Sequence, residues 1–154
     1  MQLTLFSDYS LRLLLYLANH PERVVPLSEV SRAYGISKNH LVKVVQLLLD
    51  HGLVESARGR GGGVRLGRPP ANINLGAVVR LTEPDFNLVE CFERKTNTCV
   101  IEPACALKRV LREAREGFLA ALDAQTLADI VPKGPQLIKL WDRQLRATEG
   151  ERVA

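Results

Sequence analysis

Leu5, Phe6, Tyr9, Leu13 and Leu17 recur at three- and four-residue steps near the start of the chain. That spacing lines one stripe of a helix, which Asn19-His20-Pro21 ends. A shorter stripe, Val30, Ala33 and Tyr34, follows Pro26, a residue suited to a helix start, and gives way to Gly35, which permits a tight turn. Ser37 then has the side chain of an N-cap. Behind it Leu41, Val44, Val45 and Leu48 face inward along a third helix that Gly52 can close in a left-handed conformation. Two short helices joined by a glycine-containing turn predict a helix-turn-helix.

Directly afterwards "LVESA" and "GVRLG" flank "RGRGGG", predicting two short strands around a glycine-rich, arginine-bearing tip, the wing of a winged helix. Asn74 caps a brief helix, "LGAVVRL", that stops at Glu83-Pro84. From Pro103 onward, Ala104, Leu107, Leu111, Ala114, Phe118 and Leu122 alternate steps of three and four, a near-heptad seam that wants a partner helix. Lys108, Arg109, Arg112, Glu113, Arg115 and Glu116 are expected on its solvated outer face. "LIKLWDRQL" is a further amphipathic segment, and "RATEGERVA" is expected to be disordered. The expected fold is mainly α. A winged helix-turn-helix DNA-binding domain occupies residues 1–82 and a cysteine-bearing loop 83–106; a long dimerisation helix with a C-terminal helical segment takes 103–148, and a disordered tail 149–154.

The 154 residues, 46% hydrophobic and 25% charged, suit one globular unit with a modest extension. Charge is less evenly spread than composition. Residues 1–70 hold nine Lys or Arg against five Asp or Glu, and 71–154 hold twelve of each, so the net charge of +4 lies in the first half. A polyanionic partner would meet that half. Asp8 and Arg12 interrupt the apolar opening "MQLTLFSDYSLRLLLYL", which has no basic region before it and no cleavage site after it. Neither signal peptide nor membrane span is expected, and a cytoplasmic location with no membrane partner follows. Thiols there stay reduced, which favours metal binding or oxidant sensing over structural disulfides.

Ser37, Lys38, Asn39, His40 and Lys43 cluster at the N-terminal end of the second helix of the motif, the end that enters the major groove. Asn pairs bidentately with adenine, and Lys reaches guanine or a phosphate. A plain helical bundle has no need of such a cluster. The tip "RGRGGGVRLGR" is no nucleotide phosphate loop, since Gly-Lys-Ser/Thr is absent and Val64 or Leu66 falls where the last glycine of G-x-G-x-x-G belongs. Arg58, Arg60 and Arg65 on a thin hairpin suit a narrow minor groove or the phosphate backbone. His20, His40 and His51 lack metal-ligand spacing and no nucleophile-base pair is legible, so the chain is not expected to be an enzyme.

All three cysteines fall in "CFERKTNTCVIEPAC", residues 91–105, spaced C-x7-C-x5-C. Structural zinc takes four ligands with at least one tight C-x2-4-C pair, which is missing. Three unrelated buried thiols would not gather in one loop. Iron-sulfur ligation accommodates wider spacings and soft thiolates favour it, but a cubane needs a fourth ligand from elsewhere. A thiol-disulfide switch and a redox enzyme carrying a cluster stand as alternatives.

Five motifs in order, "MQLTLFSDYSLR", "YGISKNHLVKVV", "VESARGRGGGVRLGRPP", "VVRLTEPDFNLVECF" and "NTCVIEPACALK", resemble NsrR-type nitric-oxide-sensing repressors, in the superfamily that includes IscR, over about residues 1 to 131. The resemblance implies a homodimeric repressor of inverted-repeat operator DNA. It also implies one [4Fe-4S] cluster per subunit, with a [2Fe-2S] form as a degradation product, whose nitrosylation by nitric oxide releases the operator. Cys91, Cys99 and Cys105 would be ligands in a cluster-binding loop, and Leu107, Leu111, Ala114, Phe118 and Leu122 the dimer interface. IscR-like members use a histidine three residues after the last cysteine, a position that is Lys108 here. NsrR-like proteins take a fourth ligand from an aspartate of the partner subunit, and Asp8 in "SDYSLR" matches it; the macrodipole alone also favours a carboxylate in a first helical turn. Asp is a hard, weak donor beside three thiolates, so its iron would be the most exchangeable and the entry point for a small diatomic ligand. "ECFE" also resembles the iron-responsive regulator RirA, which makes iron status a second expected signal.

Overall fold

A computed structural model describes residues 2–57, 59, 61–132 and 134–150, with the backbone alone at 149 and 150. Helix α1 (Leu5–Ala18) starts where the Thr4 hydroxyl accepts the Ser7 N–H at 3.2 Å. It buries Leu13, Leu14, Tyr16 and Leu17 in one core with Val30 and Ala33 of α2 (Leu27–Tyr34) and Leu41, Val44, Val45 and Leu48 of α3 (Lys38–Asp50). The expected stripe of α3 is buried throughout, and that of α2 apart from the half-buried Tyr34. On α1 the expectation is corrected, since Leu5 is exposed and Phe6 and Tyr9 are half-buried, while Leu14 and Tyr16 join Leu13 and Leu17 in the core. Gly35, at φ 66°, ends α2, and Ser37 caps α3. Helix α3 closes with a paired bond, Gly52 N–H to the Leu49 carbonyl and Leu53 N–H to the Leu48 carbonyl, both 2.9 Å, with Gly52 at φ 62°. This ending satisfies the last carbonyls and turns the chain into the wing.

Strands β1 (Val54–Ala57) and β2 (Gly63–Leu66) pair antiparallel with Val54 opposite Leu66 and Glu55 opposite Arg65. The hairpin is anchored along the outer edge of β2, where Val25 and Val64 exchange backbone bonds of 2.8 and 2.9 Å. Glycine is required there, because a Cβ on Gly63 would meet the Val25 carbonyl oxygen at 2.2 Å.

Asn74 caps α4 (Leu75–Thr82) by accepting the Ala77 N–H at 2.9 Å. Residues 83–105 then hold only two 3-10 turns, Glu90–Phe92 and Glu102–Ala104. Helix α5 (Ala106–Asp123) begins after Cys105, an extended N-cap residue, three residues beyond the apolar pattern's apparent start at Pro103. A one-turn helix, α6 (Leu127–Ile130), carries a Thr126/Asp129 capping box and the fully buried Leu127. Helix α7 (Gln136–Gly150) packs on α2, whereas α5 packs on α4, so the two halves of the 103–148 segment lie on different elements. Trp141 of α7 sits 4.6 Å from the Tyr16 ring and 5.7 Å from Tyr34. The expected disordered tail is helical as far as Gly150; residues 151–154 lie outside the described residues.

Candidate nucleic-acid interface and cysteine loop

The N-terminal turn of α3 is held by its cap, with the Ser37 hydroxyl accepting the His40 N–H at 3.3 Å. Lys38, Asn39, His40 and Lys43 all project into solvent from this fixed turn, and the His40 ring lies 5.9 Å from Tyr9 of α1. The same stripe includes two residues not expected from the sequence, Val42, half exposed, and Gln46, which donates to Asp50 at 2.9 Å. Their signal was available, since a face opposite a 3.6-period core stripe is exposed whatever its residue types. A valine there can meet a thymine methyl.

On the wing, Arg58 and Arg60 lie outside the described residues. Arg65 is already paired across the hairpin, donating to Glu55 at 2.8 and 3.0 Å, with both side chains more than half exposed. Such a pair is worth about 0–1 kcal/mol, so it partly offsets the charge of Arg65 without immobilising it. Arg68, not singled out by motif, folds back on the end of α3, donating to the carbonyls of Gly52 at 3.0 Å and His51 at 2.7 Å.

The three cysteines are free thiols, Cys91 buried and Cys99 and Cys105 half-buried. The structure keeps them in one loop but does not close them on each other: among the described residues no three His, Cys, Asp or Glu side chains stand where they could hold a metal ion. The backbone bonds around them are short-range, from Phe92 to Val89, Glu102 to Cys99 and Cys105 to Glu102, and the Asn97 side chain accepts the Cys99 N–H at 3.1 Å. Asp8 lies in the first turn of α1, where Arg12 of the same helix grips it with two bonds of 2.8 Å. Beside it Glu83 accepts from the backbone N–H and hydroxyl of Thr4 at 2.8 and 3.0 Å, tying the start of α1 to the end of α4.

Helix α5 divides the expected seam between two faces. Leu111, Phe118 and Leu122 are half-buried against their own chain, joined by the buried Leu119, while Leu107 and Ala114 stay exposed with Val110. Leu107, Val110, Ala114, Gly117 and Ala121, spaced three and four apart, form the outward stripe. The expected solvated face is corrected at two positions. The Lys108 side chain, 16% exposed, pairs with Glu102, and that of Arg115, 25% exposed, lies over the Phe92 ring with its guanidinium carbon 5.0 Å from the centroid. The Lys108 hydrogen bond and charge hold the Glu102 carboxyl below the usual range, with Arg94 and Arg112 adding to the effect.

At the start of α2, Tyr16 donates to Glu29 at 2.6 Å and Arg23 donates to the same carboxylate at 3.0 Å. Burial alone would raise the Glu29 pKa; the bonds from Arg23 and Tyr16 outweigh it and hold the carboxyl below its ordinary value. No described helix is long and apolar enough to cross a membrane.

Residues 3–133 match the Rrf2 family, described as an iron-dependent transcriptional regulator. The chain is 51% identical over 141 residues to the HTH-type transcriptional regulator NsrR of Bacillus subtilis, covering 91% of this chain and 97% of that protein. It is also 51% identical over 150 residues to NsrR of Shouchella clausii, covering 97% and 99%. Its fold is similar to that of T. potens IscR, with a TM-score of 0.67 at 26% identity over 84% of this chain and 85% of that one. It is likewise similar to CymR, the global cysteine regulator of B. subtilis, with a TM-score of 0.69 at 30% identity over 84% and 95%. The mainly α winged-helix expectation is borne out, and these relatives are transcriptional regulators, not enzymes. With helix-turn-helix, wing and cysteine loop in that order, and sequence and fold both matched over most of its length, the chain belongs to the Rrf2 family of transcriptional regulators.

Proposed function

We propose that this regulator is a homodimeric repressor that binds an inverted-repeat operator, carries an iron-sulfur cluster of the [4Fe-4S] type, and leaves DNA when nitric oxide reacts there. The observation that carries the reading is the set of three free, partly enclosed thiols confined to the loop between the winged helix and α5. The donor set fits the group, since three soft thiolates suit iron-sulfur ligation and leave one position for a weaker ligand. Cys91, Cys99 and Cys105 of one subunit would hold the cluster, with Asp8 completing it from the partner. The cluster, when bound, supplies irons that a small diatomic molecule can reach.

The protein's own parts do the rest. Ordering residues 91–105 is inexpensive where the backbone bonds are local, so ligation and loop closure occur together. Asp8 reaches a partner's loop by loosening its grip on Arg12, and it stands one turn from Leu5 and directly before Tyr9, which line a small cleft with His40, Lys43 and Val44 of α3. A change at Asp8 is thereby transmitted to the recognition helix through packed side chains. The outward stripe of α5 pairs with its two-fold mate and sets the two recognition helices about one DNA turn apart. Asn39, Lys43 and their neighbours read bases and phosphates, and Arg58, Arg60 and Arg65 hold the backbone or minor groove.

The test is an anaerobic operator-binding titration of reconstituted protein. Stoichiometric nitric oxide should lower operator affinity by tenfold or more, on the order expected for a coupling of 1–3 kcal/mol, and Cys→Ser at any of the three positions should prevent it. Binding that ignores nitric oxide would reject the reading. The family's description as iron-dependent favours a second signal, loss of iron, and a response to chelator without a response to nitric oxide would assign the protein to it.

A further inference from the structure

The first turn of α5 holds Lys108 and no acidic residue, and Cys105 gives it no side-chain cap. A cation in a first turn opposes the helix macrodipole, which prefers negative charge there. Lys108 nevertheless is drawn inward, its amino group on Glu102 in the turn between Cys99 and Cys105. Seven residues on, and therefore on the same face of the helix, Arg115 is drawn inward over Phe92, the neighbour of Cys91. The Nε of Arg115 is buried with no hydrogen-bond partner among the described residues. Two residues with strong preferences for solvent thus spend their side chains on the two ends of one loop. The position of Lys108 does not suit the first turn of the helix, and the partial burial of the Arg115 side chain does not suit a guanidinium; departures of this kind from local preference mark a functional constraint.

We propose that Lys108 and Arg115 form a two-point cationic clamp, positioning residues that fix the cysteine loop on α5 and place positive charge beside the three thiolates. The second role rests on the iron-sulfur reading above; the first does not. Three thiolates and a carboxylate around a cluster would make an anionic group, and the first-turn amides of α5, Lys108 and Arg115 would offer it positive charge from the helix that follows the loop. Without that anion Lys108 stands in a first turn that disfavours a cation and is offset by Glu102, and Arg115, at mid-helix, pairs with its neighbour Glu116. With it they are complementary.

Amide hydrogen exchange on the full-length, cluster-free protein tests the clamp independently of the cofactor. Lys108→Ala should speed exchange at residues 99–105, and Arg115→Ala at residues 90–93, by about fivefold or more, while α1 to α4 keep their protection and the thermal midpoint holds. Lys108→Arg should restore slow exchange, and so should the charge swap Glu102→Lys with Lys108→Glu. Unchanged loop exchange in both alanine variants would overturn the clamp, as would a charge swap that fails to restore it. On reconstituted protein, Lys108→Ala and Arg115→Ala should lose cluster to a chelator about tenfold faster than the parent. Loss at the parental rate would overturn the charge role. A parent chain that takes up no iron and sulfide, with the exchange effects intact, would instead remove the iron-sulfur reading and leave the clamp standing.

Discussion

In the first 82 residues most large apolar side chains are inside, Leu5 and Val42 apart; Leu13, Leu14, Leu41 and Leu48 expose no measurable surface. Between residues 100 and 110 the relation inverts, with Val100 92%, Ile101 63%, Leu107 62% and Val110 49% exposed. The winged helix completes its core within one chain, whereas the cysteine loop and α5 leave apolar surface and free thiols without such completion. A region finished alone can be a rigid reader of DNA. A region finished only by a second chain or a cofactor can register whether that completion has happened.

The largest effect that would break this contrast lies on α5. Val110→Asp should dissociate the dimer in sedimentation and lower operator affinity about 10²- to 10⁴-fold through loss of bivalent binding, while the melting of the winged-helix core is retained. Leu122→Asp, on the half-buried face, should instead lower stability more than it lowers dimerisation. The next effect separates the regions by folding. Leu41→Ala should cost about 2–5 kcal/mol in denaturant unfolding, and Val100→Ala should stay within about 0.5 kcal/mol in cluster-free protein. A large loss at Val100 would mean the loop already belongs to the core.

Within the DNA-reading half, Asn39→Ala should lose about 1–3 kcal/mol at one base pair of the operator and little on random DNA. Lys43→Ala should weaken both alike and reduce the salt slope by about one. Arg65→Ala should do less than Lys43→Ala, because Arg65 is already shared with Glu55. The smallest effect is on acid stability. Glu29 titrates below its ordinary value of 4.5 in the folded chain, so its contribution is present above that value and is lost as pH falls through the lower folded one. Glu29→Gln should flatten the fall in thermal midpoint below about pH 4.5, and an unchanged acid slope would mean that other carboxylates control it.

These differences also decide what the sequence could disclose. Ser37, Gly35, Gly52 and the stripe Leu41, Val44, Val45 and Leu48 were legible because caps and periodic burial are local properties, and each is found where its residue type requires. The seam of α5 was legible only as apolar spacing. The helix is apolar on two faces, and spacing cannot tell the face that covers α4 from the face left outward, so it groups Leu111, Phe118 and Leu122 with Leu107 and Ala114. The docking of Trp141 on Tyr16, 125 positions away, depends on tertiary packing that no local pattern carries. The Thr126/Asp129 capping box was present in "TLAD" and marks a turn of helix too short to show a period. For the cysteines the chain supplies the donor types, and their convergence is part of the proposed assembly, outside what a single chain's local pattern carries.

If the sensing half of one chain is completed by the other, a mixed dimer will show it. One subunit carries Asp8→Ala with its cysteines intact; the other carries serine at Cys91, Cys99 and Cys105 with Asp8 intact. After anaerobic reconstitution, the absorption spectrum and its response to nitric oxide are compared with those of the parent and of the Asp8→Ala homodimer. Ligation across the dimer predicts one cluster per dimer with parental spectrum and reaction. Behaviour like the Asp8→Ala homodimer would contradict it, and with it the route from the loop of one subunit to the recognition helix of the other.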